Sequence, residues 1–293
     1  MAFFEWHGLK NKLGLRPQTE IQDIGSGPAT KCEKCGEVLM RVAFEANLKV
    51  CPHCQHHHIL SSAERLQTTL DYGTFKPLPG NLAAKDILEF KGIETYQAKL
   101  VSARKKTQML DAMLAGTGEI KGQAVAIGVT DARFMAGSMG SVVGELFVRL
   151  VELAVKKQLP LVVFSGSGGG ARMYEGLFSL FQMAKTAAAL VKLEEARLPF
   201  ISVCTQSTMG GVWASWAALG DIVIAEPQAQ IGFTGPRVIK TTINAELPAG
   251  FQSSEFLLAR GQIDQIVPRA DLRERLASIL DLLQSQEKLP TTK

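Results

Sequence analysis

Apolar positions in this chain fall into two patterns. Continuous blocks at residues 124–130, 161–164, 200–204 and 221–227 place apolar side chains on both faces of the pleat, which predicts fully buried strands. Elsewhere the apolar positions recur at helical spacing. Residues 142–157 predict one helix, ended by Pro160. Residues 174–197 predict another, with Leu177, Leu180, Phe181, Ala184, Ala188 and Val191 on its apolar side. A short small-residue helix is expected over 212–219, helices dominate after Ser253, and the end from Gln284 is expected to fray. Strands alternating with helices imply an α/β domain whose ligands sit at the carboxyl ends of the strands.

Three predicted strands run into loops of small residues, each expected to open a helix. They are Met135-Ala136-Gly137-Ser138-Met139-Gly140-Ser141, Ser165-Gly166-Ser167-Gly168-Gly169-Gly170-Ala171-Arg172 and Ser207-Thr208-Met209-Gly210-Gly211. A glycine-rich entry to a helix aims main-chain N–H groups at negative charge and lets a ligand approach the backbone. A P-loop is excluded because no Gly-Lys-Ser/Thr occurs. Gly166-x-Gly168-x-x-Ala171 has the spacing of a dinucleotide fingerprint, but no acidic residue closes the next strand. All five histidines (His7, His53, His56, His57, His58) precede residue 59, so a Ser-His-Asp triad is excluded as well. What remains is catalysis by backbone: paired N–H donors stabilise an enolate or thioester oxyanion without a titrating side chain. The plainer alternative is that the glycines only allow tight turns and close packing.

Cysteine usage adds a metal. Cys32-x2-Cys35 and Cys51-x2-Cys54 have the spacing of a four-cysteine zinc ribbon, with Gly36 and Pro52 suited to the knuckle turns and a hairpin expected over 38–49. Four thiolates leave no open coordination position, so one zinc per chain is expected to be structural. His56, His57 and His58 are expected to be solvated on a polar flank, and Cys204 to be a small buried hydrophobe. The 293 residues divide into a flexible arm (1–27), the ribbon (28–58), a helical connector (59–111) and the main domain (112–293). A net charge of +4 without a basic cluster suits an anionic ligand and leaves room for nucleic acid without requiring it. No apolar run reaches membrane length and the start lacks leader character, so the cytoplasm is the default location.

Joined to the ribbon, five motifs follow in order: Phe134-Met135-Ala136-Gly137-Ser138-Met139-Gly140-Ser141-Val142-Val143-Gly144-Glu145, Gly169-Gly170-Ala171-Arg172-Met173, Gln182-Met183-Ala184-Lys185-Thr186, Thr208-Met209-Gly210-Gly211-Val212 and Ile231-Gly232-Phe233-x-Gly235-Pro236-Arg237. In that combination the chain closely resembles, from about Thr30 to Arg269, the carboxyltransferase beta subunit of bacterial acetyl-CoA carboxylase. The resemblance implies a crotonase-like α/β domain (a ββα superhelix) behind the ribbon. It implies transfer of a carboxyl group from carboxybiotin on a carrier protein to acetyl-CoA, giving malonyl-CoA for fatty-acid synthesis. It further implies an alpha subunit in an α2β2 assembly, a biotin carboxyl carrier protein and biotin carboxylase, together an ATP-dependent complex.

By the same resemblance, Gly137 and the Gly170-Ala171 turn lie around the CoA thioester, and Gly210 and Gly211 supply N–H groups at another helix start. Ser138 and Arg172 fall on the substrate side, with Arg172 contacting CoA, ordering the loop or, equally, capping a surface. A catalytic domain without histidine fits, because in this family the biotin anion is the base. Two departures stand out: one extra glycine in Gly168-Gly169-Gly170, and Ala136 where the family has glycine. Two other readings are a carboxyltransferase for another acyl-CoA and a non-catalytic zinc-ribbon binding protein. Against the last, Glu33, Glu37 and Glu45 offset most of the charge of Lys31, Lys34, Arg41 and Lys49.

Overall fold

The buried blocks become the parallel centre of one eight-stranded sheet in the computed structural model, which describes residues 27–243 and 246–286. The expected arm therefore lies outside the described residues except for Gly27, as do residues 287–293 of the expected frayed end. The chain starts with β1 (Ala29–Lys31) and β2 (Val38–Met40), an antiparallel pair, then α1 (Arg41–Ala46). The hairpin expected over 38–49 is thus corrected: β2 pairs backward with β1, and a six-residue helix leads to the second cysteine pair.

Residues 59–111 hold α2 (Ser62–Thr69), β3 (Lys76–Pro77) and α3 (Tyr96–Thr107). Then come β4 (Met113–Ile120), β5 (Gln123–Thr130), α4 (Ser141–Lys157), β6 (Leu161–Ser167), α5 (Leu177–Glu195) and β7 (Phe200–Met209). The rest is β8 (Ile222–Ala225), β9 (Ile231–Gly232), α6 (Pro236–Ile243), α7 (Ser254–Leu258), β10 (Gln265–Ile266) and α8 (Leu272–Gln286). The sheet order is β10-β8-β7-β6-β5-β4-β3, with β9 on the far end of β7. Strands from β5 to β10 are parallel, while β4 runs antiparallel to both β5 and β3. Two glycines weaken the strand pattern of β4 for a packing reason. A Cβ at Gly116 would sit 2.2 Å from the Lys76 carbonyl oxygen, and one at Gly118 would strike Leu70.

The two faces of the sheet build two cores, split by alternate residues. On β6, Leu161 and Val163 join α3, α4 and α5, whereas Val162 and Phe164 join α2 and α8. Residues 59–111 contribute to both, with Leu66, Leu70 and Phe75 in one core and Tyr96 and Leu100 in the other. The helix α5 departs from the usual logic of an amphipathic helix. Its buried residues are Ser179, Thr186, Ala189 and Leu193, while Leu177, Phe178, Leu180, Phe181 and Val191 are exposed. Its predicted apolar face points away from the domain.

A buried ion cluster docks the ribbon onto the sheet. Glu226, just past β8, is fully buried and accepts from Arg269 Nε and Nη2 at 2.8 and 2.9 Å, with Arg65 Nη2 at 2.7 Å. Arg269 also reaches the ribbon through the carbonyls of Leu48 (2.6 Å) and His58 (2.8 Å). Its main-chain N–H donates to His57 Nε2 at 3.2 Å. His57 and His58 are buried, which corrects the expectation of a solvated histidine run.

Burial alone pushes the Glu226 carboxyl up, but the charges of Arg65 and Arg269 and the Arg269 hydrogen bonds outweigh it and hold the group at about 2, below its ordinary 4.5. A depressed carboxyl contributes stability above its unfolded value and loses it as pH falls towards the folded one. Stability to urea should therefore drop as pH is lowered from 4.5 towards 2, and Glu226→Gln should flatten that dependence. At neutral pH the same variant leaves two buried guanidiniums without a counter-charge and should cost ~3–5 kcal/mol.

Candidate active site and metal centre

The metal centre assembles from two knuckles. Gly36 N–H bonds back to Cys32 O and Gln55 N–H to Cys51 O, folding each pair into a tight turn. The four sulfurs lie within 4.8 Å of one another, with Cys32–Cys54 at 3.6 Å and Cys35–Cys51 at 3.8 Å. Zinc–sulfur bonds of ~2.3 Å in a tetrahedron demand sulfur separations of about 3.8 Å, so the donor set fits zinc. The apolar core of the ribbon is only Cys32, Leu39 and Cys51 with Phe44 and Cys54 against them, too little to hold this fold without the ion.

The glycine loops meet at the carboxyl ends of β5, β6 and β7. Met135, Ala136 and Gly137 take consecutive left-handed conformations (φ 48°, 57° and 67°). That curl turns the Ala136 carbonyl onto the N–H groups of both Gly168 and Gly169, at 3.0 Å each. The two departures from the resembling family are therefore in direct contact. At Gly137 a Cβ would lie 2.4 Å from the Gly166 oxygen, and its own N–H is taken by Phe134 O.

The next turn, Gly170-Ala171, stands against Gly210-Gly211 backbone to backbone. A Cβ on Gly210 would be 2.8 Å from Gly170 Cα, and one on Gly211 would be 3.2 Å from the Ala171 nitrogen. Gly210 N–H donates to the carbonyls of Gly232 and Phe233. Among the described residues the N–H groups of Gly170, Ala171 and Gly211 have no protein partner. Of the five predicted backbone positions, three thus keep a free donor, and Gly137 and Gly210 shape the turns.

Helix starts do not do the aiming, which corrects the sequence expectation. Only the first loop opens an α-helix directly, at Gly140, and there Glu175 Oε2 takes the Ser141 N–H at 2.6 Å. After Arg172 a 3₁₀ turn (Met173–Glu175) intervenes before α5. Residues 212–219 form turns and a 3₁₀ segment (Ala217–Leu219) in place of the expected helix. Trp216 fixes that region by packing on Phe147 and donating to Ser165 Oγ at 3.0 Å.

Arg172 is buried, not presented to a ligand. Nη1 and Nη2 grip Asp111 at 3.0 and 2.6 Å, Nη1 also reaches Tyr96 Oη (3.1 Å) and Glu175 Oε1 (3.3 Å), and Ser138 receives Nη2 on its carbonyl (2.8 Å) and Nε on its hydroxyl (3.2 Å). Burial by itself lowers the guanidinium, but the Asp111 charge and hydrogen bonds carry it above its usual value. Arg172 and Ser138 hold the loops together from behind. Asp111, Tyr96 and Glu175 complete this arrangement, and no motif in the sequence pointed to them. Cys204 is fully buried, and burial pushes its thiol up to about 12, so it stays protonated.

Residues 62–253 match the carboxyl transferase domain family. The chain belongs to that family. Residues 30–54 match the acetyl-CoA carboxylase zinc finger domain, so the four thiols form a structural zinc site. The transcarboxylase 12S structure with methylmalonyl-coenzyme A bound aligns at a TM-score of 0.63 and 28% identity, over 77% of this chain and 40% of that one. This chain therefore spans two fifths of that protein's length. The Pseudomonas malonate decarboxylase hetero-dimer shares the fold at 0.58 and 21% identity, over 77% of this chain and 86% of that one. So does the P. aeruginosa geranyl-CoA carboxylase beta subunit, at 0.62 and 20%, over 86% and 43%. Among the described residues, no helix of this carboxyl transferase domain is long and apolar enough to cross a membrane.

Zinc removal should act locally first. Such sites supply roughly 10–16 kcal/mol, so a strong chelator should abolish the ribbon's amide protection and loosen residues around Arg269 while the sheet stays protected. Hydrogen exchange would show this, and a metal count other than one zinc per chain would contradict it. Asp111→Asn should lower stability by ~3–5 kcal/mol in urea unfolding, because it leaves the buried Arg172 fork half-paired.

Proposed function

We propose that this chain is the beta-type subunit of a biotin-dependent acetyl-CoA carboxyltransferase, moving a carboxyl group from carboxybiotin to acetyl-CoA to give malonyl-CoA and biotin. The observation that carries this reading is the set of unpartnered N–H groups on Gly170, Ala171 and Gly211, side by side in a domain without histidine. Such donors suit a thioester oxygen that gains negative charge as the methyl carbon becomes an enolate. Carboxybiotin, delivered by a carrier protein, supplies the carboxyl group and the base. The residues of this chain hold the thioester oxygen, and Arg172, Ser138 and Ala136 lock the first two glycine loops together behind those free N–H groups. The ribbon's match favours the acetyl system over other acyl-CoA substrates.

The outward apolar face of α5 supports an alpha-type partner. Leu177 is 66% exposed and Phe181 66%, beside Met173 at 76%. So many large apolar side chains on one helix face mark a protein interface, and a partner there would bring the second half of a carboxyltransferase site.

Two measurements test the reading. The chain, co-purified with an alpha-type partner, should carboxylate acetyl-CoA faster than propionyl-CoA or longer acyl-CoA in the presence of carboxylated carrier. No transfer to any acyl-CoA would remove the reading, and a preference for longer chains would replace the substrate. Gly170→Ala should lower kcat by about 10²–10³, since its φ of +58° and the 3.3 Å approach to Gly210 and Gly211 force the turns apart. Zinc content should be unchanged.

A further inference from the structure

A polar cavity opens at the carboxyl ends of β5, β6 and β7, roofed by Ile59 and Leu60 where the ribbon joins α2. Thr130, Gly166, Gln206 and Arg65 also line it, so it adjoins the glycine turn on the strand side. Its charge is unbalanced. Arg65 and Arg269 share the single carboxylate of Glu226, which leaves two buried positive charges against one negative. The other titratable groups facing the cluster do not correct this. His57 accepts the Arg269 N–H on Nε2 and is neutral, and Glu64 is paired with Lys49 at 2.6 Å.

Arg269 spends all three of its nitrogens on Glu226, Leu48 and His58. Arg65 does not. Its side chain is 5% exposed, it bonds Glu226 through Nη2 alone, and the guanidinium packs on the Phe164 ring at 5.1 Å. Among the described residues its Nε and Nη1 have no partner. The Gln206 amide, at the same cavity, is likewise unpartnered. An unspent guanidinium edge in a low-dielectric cavity with a net positive charge calls for an oxyanion, which accepts two parallel N–H bonds.

We propose that this cavity binds a small oxyanion, a carboxylate or phosphate group, through Arg65 and Gln206. The proposal rests on Arg65 and Gln206, not on the thioester donors, and does not depend on the carboxyl-transfer reading. Calorimetric titration of the full chain with inorganic phosphate and, in a second arm, with acetate, at constant ionic strength, tests it and tells the two chemistries apart. Saturable binding of one of them is expected, weakened about tenfold or more in Arg65→Met. That variant leaves Glu226 and Arg269 as a balanced pair, so folding should survive. Gln206→Glu, which touches no part of the ion cluster, should also weaken binding by placing a like charge at the cavity, and it carries the test alone if Arg65→Met fails to fold. No binding of either anion, or affinity unchanged in the variants, overturns the proposal.

Discussion

A buried arginine cannot be left unsatisfied, and Arg172 is the point on which the geometry of the candidate site depends. Its guanidinium sits inside the protein and binds Asp111 ahead of β4, Tyr96 at the start of α3 and Ser138 in the first glycine loop. Removing such a group from water is costly unless every donor finds an acceptor, so these segments have one low-energy arrangement. Glu175 extends the constraint. It accepts hydrogen bonds from the Tyr96 hydroxyl at 2.5 Å and the Ser141 N–H at 2.6 Å, placing a carboxylate on the positive end of α4. The first N–H of that helix is thereby occupied.

With the loops held from behind, their front can be bare. Gly170 and Gly210 touch through main-chain atoms, and any side chain there would separate them. Free amide hydrogens then persist beside one another because the neighbouring carbonyls are already engaged, as Gly170 O is by Met139 N–H at 2.7 Å. The ribbon is held by the same physics on the other side of the strand ends. There the buried Glu226 gathers Arg65 and Arg269, and Arg269 reaches into the ribbon's carbonyls. Zinc, ribbon and sheet are mechanically continuous through that guanidinium.

Sequence pattern located the strands β5 to β8 well, because continuous apolar runs leave few alternatives in a buried parallel sheet. It missed β4, whose Gly116 and Gly118 answer to Lys76 and Leu70 and not to any local preference. It also made a helix of residues 212–219, where the need to bring Gly211 against Ala171 and Trp216 against Phe147 produced turns. The apolar spacing of α5 was real but its direction was not readable. Periodicity reports that one face is apolar, not whether this domain or a partner covers it.

By itself the sequence determined the zinc ligands, since two cysteine pairs at ribbon spacing have few other uses, and the loops where catalysis by backbone is possible. It determined too that no histidine lies within the main domain. Only the tertiary structure decided which amides stay free, that Arg172 faces inward, and that His57 and His58 are buried beneath Arg269. The reason is common to all of these. Whether a polar group is spent or available depends on partners such as Asp111 for Arg172, 61 positions away in the chain, and Glu226 for Arg269, 43 positions away.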